Sequence, residues 1–192
     1  MYGLTQLETG ITPDRLGVLI SYSWMVSEKK GAFVEFGVMK GGSLDLLSAL
    51  HPDRYFFGID SFKGLPKPGA NDIHHNEGDF ALSDEEYLNI VTYFAQRKVL
   101  IVKGFSPGVF KFADAPVAFL HCDVDMESSV NDALTFFFPR MVKGGVMIFD
   151  DYGFLSTPGA KKAIDEWKGE CEYRGEIIFN NGVKTGQYLI VK

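Results

Sequence analysis

Short apolar runs alternate along the chain with stretches of helical spacing. Residues 32–36 (AFVEF), 55–59 (YFFGI), 99–102 (VLIV), 117–122 (VAFLHC) and 145–149 (GVMIF) each read as a buried strand. Thr12-Pro13 opens a first helix with Leu16, Leu19, Ile20 and Trp24 on one face. Ser43 is placed to cap a helix over KGGSLDLLSAL. Ser83 and Glu86 form a capping box before a helix carrying Leu88, Val91 and Phe94. A further helix is predicted from about Ser128 to just before Pro139, and another after Thr157-Pro158 with Ala160, Ala163, Ile164 and Trp167 inward. The chain closes on EIIF and QYLIV, joined by the turn-rich NNGVKTG, which is a hairpin signal. The alternation predicts an α/β fold in one domain over residues 1–192: a doubly wound, mostly parallel sheet of seven strands with a terminal antiparallel hairpin. Residues 1–30 would form a helical cap, and the long Gly/Pro/His-bearing loop 61–82 a lid.

Composition narrows the classes. An apolar fraction of 46% with 23% charged residues is globular. The net charge of −6 speaks against nucleic acid or an anionic membrane as the main partner. Neither a signal peptide nor a run long enough to span a membrane is apparent, and the two cysteines form no disulfide or zinc pattern. These features predict a cytoplasmic protein.

Candidate chemistry sits at the strand ends. Glu35-Phe36-Gly37-Val38-Met39-Lys40-Gly41-Gly42-Ser43 reads as strand, glycine turn and helix N-terminus, a place where backbone N–H groups meet an anion. Its E-x-G-x-x-x-G-G spacing differs from the G-x-G-x-x-G that grips a pyrophosphate, and the carboxylate of a methionine moiety suits it as well as a phosphate. Asp60 ends the next strand, where an acidic side chain takes the hydroxyls of an adenosine ribose. Asp123 and Asp125 end the fourth strand, Asp150 and Asp151 the fifth. Four converging carboxylates repel unless a cation sits among them, and hard oxygen donors favour Mg²⁺ (or Mn²⁺ or Ca²⁺) over zinc. His74 and His75 read as exposed loop histidines.

The segments FVEFGVMKGGS, FFGIDSFKGLP, DVDMESSVNDAL, FPRMVKGGVMIFDDYG and PGAKKAIDEW occur in order and resemble the macrocin O-methyltransferase (TylF-like) family. The resemblance runs from about Thr12 to Lys192. It implies a class I, Rossmann-like S-adenosylmethionine (SAM) methyltransferase fold and metal-dependent methylation of sugar hydroxyls. It further implies Asp123, Asp150 and Asp151 as metal ligands, Asp125 as general base, and Glu35, Gly37, Ser43, Asp60 and Ser61 around the cofactor. Val38, Gly41, Phe62, Asp79 and Asp123 are further candidate cofactor contacts. The expected partner is a small-molecule acceptor with a sugar diol; a homo-oligomer is compatible with this reading. Glu127 stands where the family usually carries tyrosine after its D-x-D-[LM] quartet, and the chain is shorter than typical members, mostly at its amino-terminal end. Rival readings are a catechol-type O-methyltransferase and an inactive SAM-binding protein. A phosphatase or glycosyltransferase reading of the D-x-D leaves the glycine turn and Asp60 unexplained.

Overall fold

The computed structural model describes residues 6–112, 114–179 and 182–192. Its elements follow in the order α1 (Pro13–Met25), β1 (Ala32–Phe36), α2 (Gly42–Leu50), β2 (Phe56–Asp60), α3 (Asp84–Phe94), β3 (Val99–Lys103), β4 (Val117–Cys122), α4 (Glu127–Arg140), β5 (Met141–Phe149), α5 (Pro158–Glu166), β6 (Tyr173–Phe179) and β7 (Val183–Val191). They build one seven-stranded sheet ordered β3-β2-β1-β4-β5-β7-β6. β1 to β5 pair in parallel, and β7 runs antiparallel to both β5 and β6. This is the α/β arrangement expected from the alternation of strands and helices. Asn180 and Asn181 of the predicted hairpin turn, and residues 1–5 of the predicted cap, lie outside the described residues.

Both faces of the central sheet are buried, which is why its central strands are apolar along most of their length rather than alternately, with Glu35 and His121 as paired exceptions. Phe33, Phe119, Val146 and Ile148 face a layer formed by α1, α2 and α3. Val34, Leu120, Met147 and Phe149 face α4 and α5 on the other side. Phe33, Phe119, Phe137 and Phe149 are almost fully excluded from water. Each contributes about 1.5–3 kcal/mol by burial.

Several local expectations shift in the folded chain. The N-cap of α2 is Gly41, at φ 85°, and Ser43 is a buried residue inside its first turn. α4 continues through Pro139, which sits in its last turn and therefore removes only one late hydrogen bond. α3 turns Ile90 and Phe94 inward and leaves Leu88 exposed, since two residues along a helix rotate a side chain by about 200°. Trp24 on α1 is likewise exposed, and Trp167 falls just past the end of α5, against Phe138. The capping box of Ser83 and Glu86 forms as expected. No helix among the described residues is long and apolar enough to cross a membrane.

The strand order reverses direction between β1 and β4, so their C-terminal ends flank the crevice in which such sheets bind ligands. Gly37 leaves β1 at that point. A Cβ there would lie 1.8 Å from the Asp123 carbonyl oxygen, so only glycine lets the two strand ends come this close.

Candidate active site

A cavity of about 460 Å³ opens over this crevice. Gly37, Val38 and Ser43 line it from the β1–α2 turn, Asp60 and Ser61 from the end of β2, Asp123 and Asp125 from β4, and Asp151 from β5.

The β1–α2 turn is organised by Asp60. Its Oδ2 accepts the N–H groups of Val38 and Met39 at 2.9 and 2.8 Å, and its Oδ1 accepts that of Phe62 at 2.7 Å. Met39 and Phe62 both have positive φ, 46° and 50°, a conformation costly for side-chain-bearing residues and held here by those bonds. A carboxylate offers roughly four lone-pair sites, so Asp60 keeps room for one further hydroxyl. The N–H of Gly42 at the start of α2 donates to the Glu8 carbonyl at 3.0 Å, so the amino-terminal segment covers part of that helix end. Buried Asp45 anchors this segment, accepting from the Gln6 N–H at 2.7 Å and from Tyr93 and Arg97.

The ends of β4 and β5 carry more negative charge and fewer donors. Asp151 Oδ2 accepts the N–H groups of Val124 and Asp125 at 3.2 and 2.9 Å, holding Asp125 at φ 58°. The Thr157 hydroxyl donates to the Asp151 carbonyl at 2.7 Å, which ties the start of α5 to the site. Asp150, fully buried, is ion-paired with Arg15 of α1 and accepts from the Gln187 amide. Behind it, register pairs Glu35 with His121, and His121 donates Nδ1–H to Glu35 Oε1 at 2.7 Å. The His121 Nε2 lies 3.8 Å from Asp150 Oδ1, with no hydrogen-bond partner.

The donor set fits a divalent cation. Atoms of His121, Asp123 and Asp150 lie within 4.8 Å of one another. Burial and then the neighbouring charge of Asp151 push Asp123 up to about 8, and the same two causes push Asp125 up to about 8. Burial raises Asp151 as well, against the two N–H groups it accepts. Carboxylates crowded to this degree stay ionised at neutral pH only with a compensating positive charge.

Five predicted residues do not line the cavity. Glu35 is committed to His121, and Asp150 to Arg15 and Gln187. Phe62 is core, packed on Tyr87, and Gly41 caps α2 behind the turn. Asp79 staples its own loop, accepting the Asn76 N–H at 2.8 Å. Arg15 lines the cavity without any sequence signal that marks it, as do Phe80, Phe105 and Phe154 on its rim. The loop 61–82 is fastened to the body of the domain. Asp72, buried, accepts the Glu127 N–H at 3.0 Å and so caps α4, whose own N-cap Met126 has no side-chain cap bond. Glu127 in turn accepts from Asn71 Nδ2 at 2.6 Å and from Lys162.

Comparison with known proteins places the chain in a family and a fold. The family model described as macrocin O-methyltransferase (TylF) matches residues 23–179. The chain is 33% identical over 167 residues to demethyldecarbamoylnovobiocin O-methyltransferase of Streptomyces niveus, covering 77% of this chain and 62% of that protein. It is 29% identical over 171 residues to mycinamicin III 3''-O-methyltransferase of Micromonospora griseorubida, covering 77% and 64%. The chain thus spans less than two thirds of the length of the curated relatives it matches. Among solved structures, the O-methyltransferase NovP superposes with a TM-score of 0.67 at 29% identity, over 80% of this chain and 70% of that one. A calicheamicin methyltransferase shares the fold with a TM-score of 0.78 at 20% identity, over 92% and 77%.

Proposed function

The chain belongs to the macrocin O-methyltransferase (TylF) family, and from that membership we propose that it transfers the methyl group of S-adenosylmethionine to a hydroxyl of a sugar or glycosylated small molecule, with a divalent cation bound. One observation carries the reading. A single cavity joins the Asp60-braced glycine turn, suited to an adenosine and a methionine carboxylate, to the carboxylates of Asp123, Asp125 and Asp151.

When bound, SAM supplies an electrophilic methyl group, and a cation such as Mg²⁺ lowers the pKa of a hydroxyl beside it. Asp123 and Asp150 would hold the cation together with a ring nitrogen of His121, whose atoms lie within 4.8 Å of theirs. Asp151, named by the family resemblance, stands beside them with Oδ2 already accepting two N–H groups. Asp150 is the member whose carboxylate must exchange partners, since Arg15 and Gln187 hold it in the folded chain. Asp60 accepts a ribose hydroxyl with its remaining lone pair, and Ser43 and Ser61 lie beside the same turn. Asp125 takes the proton of the acceptor hydroxyl onto its carboxylate; burial and the charge of Asp151 raise its proton affinity, and positive charge in the cluster would keep it ionised and able to accept. Phe80, Phe105 and Phe154, partly exposed on the rim, offer faces to a sugar ring or its aglycone. Fixing donor and acceptor in one cavity supplies much of the acceleration.

The test is a mass-spectrometric assay with SAM, Mg²⁺ and a panel of nucleotide sugars, glycosides and catechols. The expected result is gain of one methyl group on a sugar hydroxyl, lost on adding a chelator. Methylation confined to catechols, or full activity with chelator present, contradicts the reading.

A further inference from the structure

His74 and His75 are adjacent in the loop 61–82 but meet different surroundings. His74 is exposed, whereas the His75 side chain keeps only 10% of its accessible surface. Its Nε2 is buried without a hydrogen-bond partner and lies 3.8 Å from Asp125 Oδ1. The ring sits 6.1 Å from that of Phe80, on the cavity rim.

Three facts make this approach a built feature. The His75 backbone N–H donates to the Asp72 carbonyl at 3.4 Å, and Asp72 is the residue that caps α4, so the anchor of the loop also sets the histidine. The Asp125 backbone is fixed separately, by Asp151. The other charged neighbours of Asp125 include the carboxylates of Asp123, Asp151, Asp72 and Asp79, together with Arg15, whose guanidinium is committed to Asp150. Among the described residues, the His75 ring nitrogen is therefore a side-chain donor aimed at the carboxylate and not committed elsewhere.

We propose that His75 is a positioning residue for Asp125: its Nε2–H holds Oδ1 and turns the second oxygen toward the acceptor hydroxyl. Rotation of a carboxylate about its last bond is soft, so one donor on one oxygen is what defines where the other points. The separation of 3.8 Å is longer than a formed hydrogen bond, as is common for catalytic pairs before ligands bind. The inference rests on reading Asp125 as the base. It also gives the loop 61–82 a chemical role, since the loop presents one imidazole while Asp72 and Glu127 hold the strap in place.

The test reads the imidazole nitrogens of His75 by long-range proton–nitrogen NMR on the full chain, so it needs neither acceptor nor turnover. The expected result is an Nε2–H tautomer for His75 whose nitrogen shifts move on Asp125→Ala, while those of His74 do not. Asp125→Asn, which keeps the side-chain volume, carries the test if Asp125→Ala does not fold. His75 signals that match those of His74 and ignore both substitutions overturn the proposal. Failure of the base reading shows elsewhere, as methyl transfer unchanged in Asp125→Asn, and leaves the NMR result standing.

Discussion

Two strand ends of the same sheet carry aspartates, and the two sites are built in opposite ways. At the end of β2, Asp60 faces three backbone N–H groups, every one within 2.9 Å. At the ends of β4 and β5, four carboxylates share one guanidinium and few donors, and two of them are pushed up to about 8. Asp60 is satisfied by the fold itself, so its turn is formed before any ligand arrives. The second cluster is satisfied only when positive charge is added. One end is preorganised by hydrogen bonds, while the other stores its demand for positive charge as repulsion.

Substitutions at the two ends should therefore fail differently. The largest effect is expected for Asp125→Asn, which should cut turnover by roughly 10²–10⁴-fold, the usual range for loss of a general base, with SAM affinity by calorimetry unchanged. Asp60→Ala should instead leave three N–H groups of the turn without their acceptor. Loss of about 1–3 kcal/mol of stability, in denaturant unfolding, and weakened SAM binding are expected together. If Asp60→Ala spared SAM binding, the contrast between the two ends would break on the cofactor side.

The pH response separates the ends further. Asp123 and Asp125 rise from 3.8 to about 8 on folding, so between these values the folded chain holds protons that the unfolded chain has released. Without metal, stability should then fall as pH rises from about 4 to about 8, since the unfolded state binds fewer protons in that window. Melting curves at pH 6 and pH 8 check this; each kcal/mol appears as about 2–4 °C in a chain of this size. Added Mg²⁺ should raise the midpoint more at pH 8 than at pH 6. Asp72→Ala, the mildest change, removes a helix cap from α4 and should cost about 1 kcal/mol.

The sheet and its five parallel strands are legible in the sequence because burial on both faces makes the central strands nearly continuous apolar runs, and the edge strand β3, half-buried, keeps the same apolar character. Asp60, Asp123, Asp125 and Asp151 are legible for a related reason: they stand at the strand ends that border the crevice, although Asp150, directly after β5, turns away to Arg15 and Gln187. Glu35 is not, because its role depends on register. It lies one residue before the end of β1, and the pairing of β1 with β4 sets it opposite His121, inside the sheet. Arg15 reads as one more polar position on an amphipathic helix until α1 is docked against the end of β5. Asp72, His75 and Glu127 have no local signature at all. Their partners lie about fifty residues away along the chain, and only the folded loop brings them together.

If the two ends are independent, the carboxylate cluster holds a divalent cation whatever happens at Asp60. Calorimetric titration of MgCl₂ into the protein at pH 7.5, repeated with Asp123→Asn, Asp151→Asn and Asp60→Asn, decides this. One site is expected, lost in the first two variants and retained in the third. Absence of Mg²⁺ binding to the unsubstituted chain, or binding untouched by Asp123→Asn and Asp151→Asn, would refute a cation site at the ends of β4 and β5.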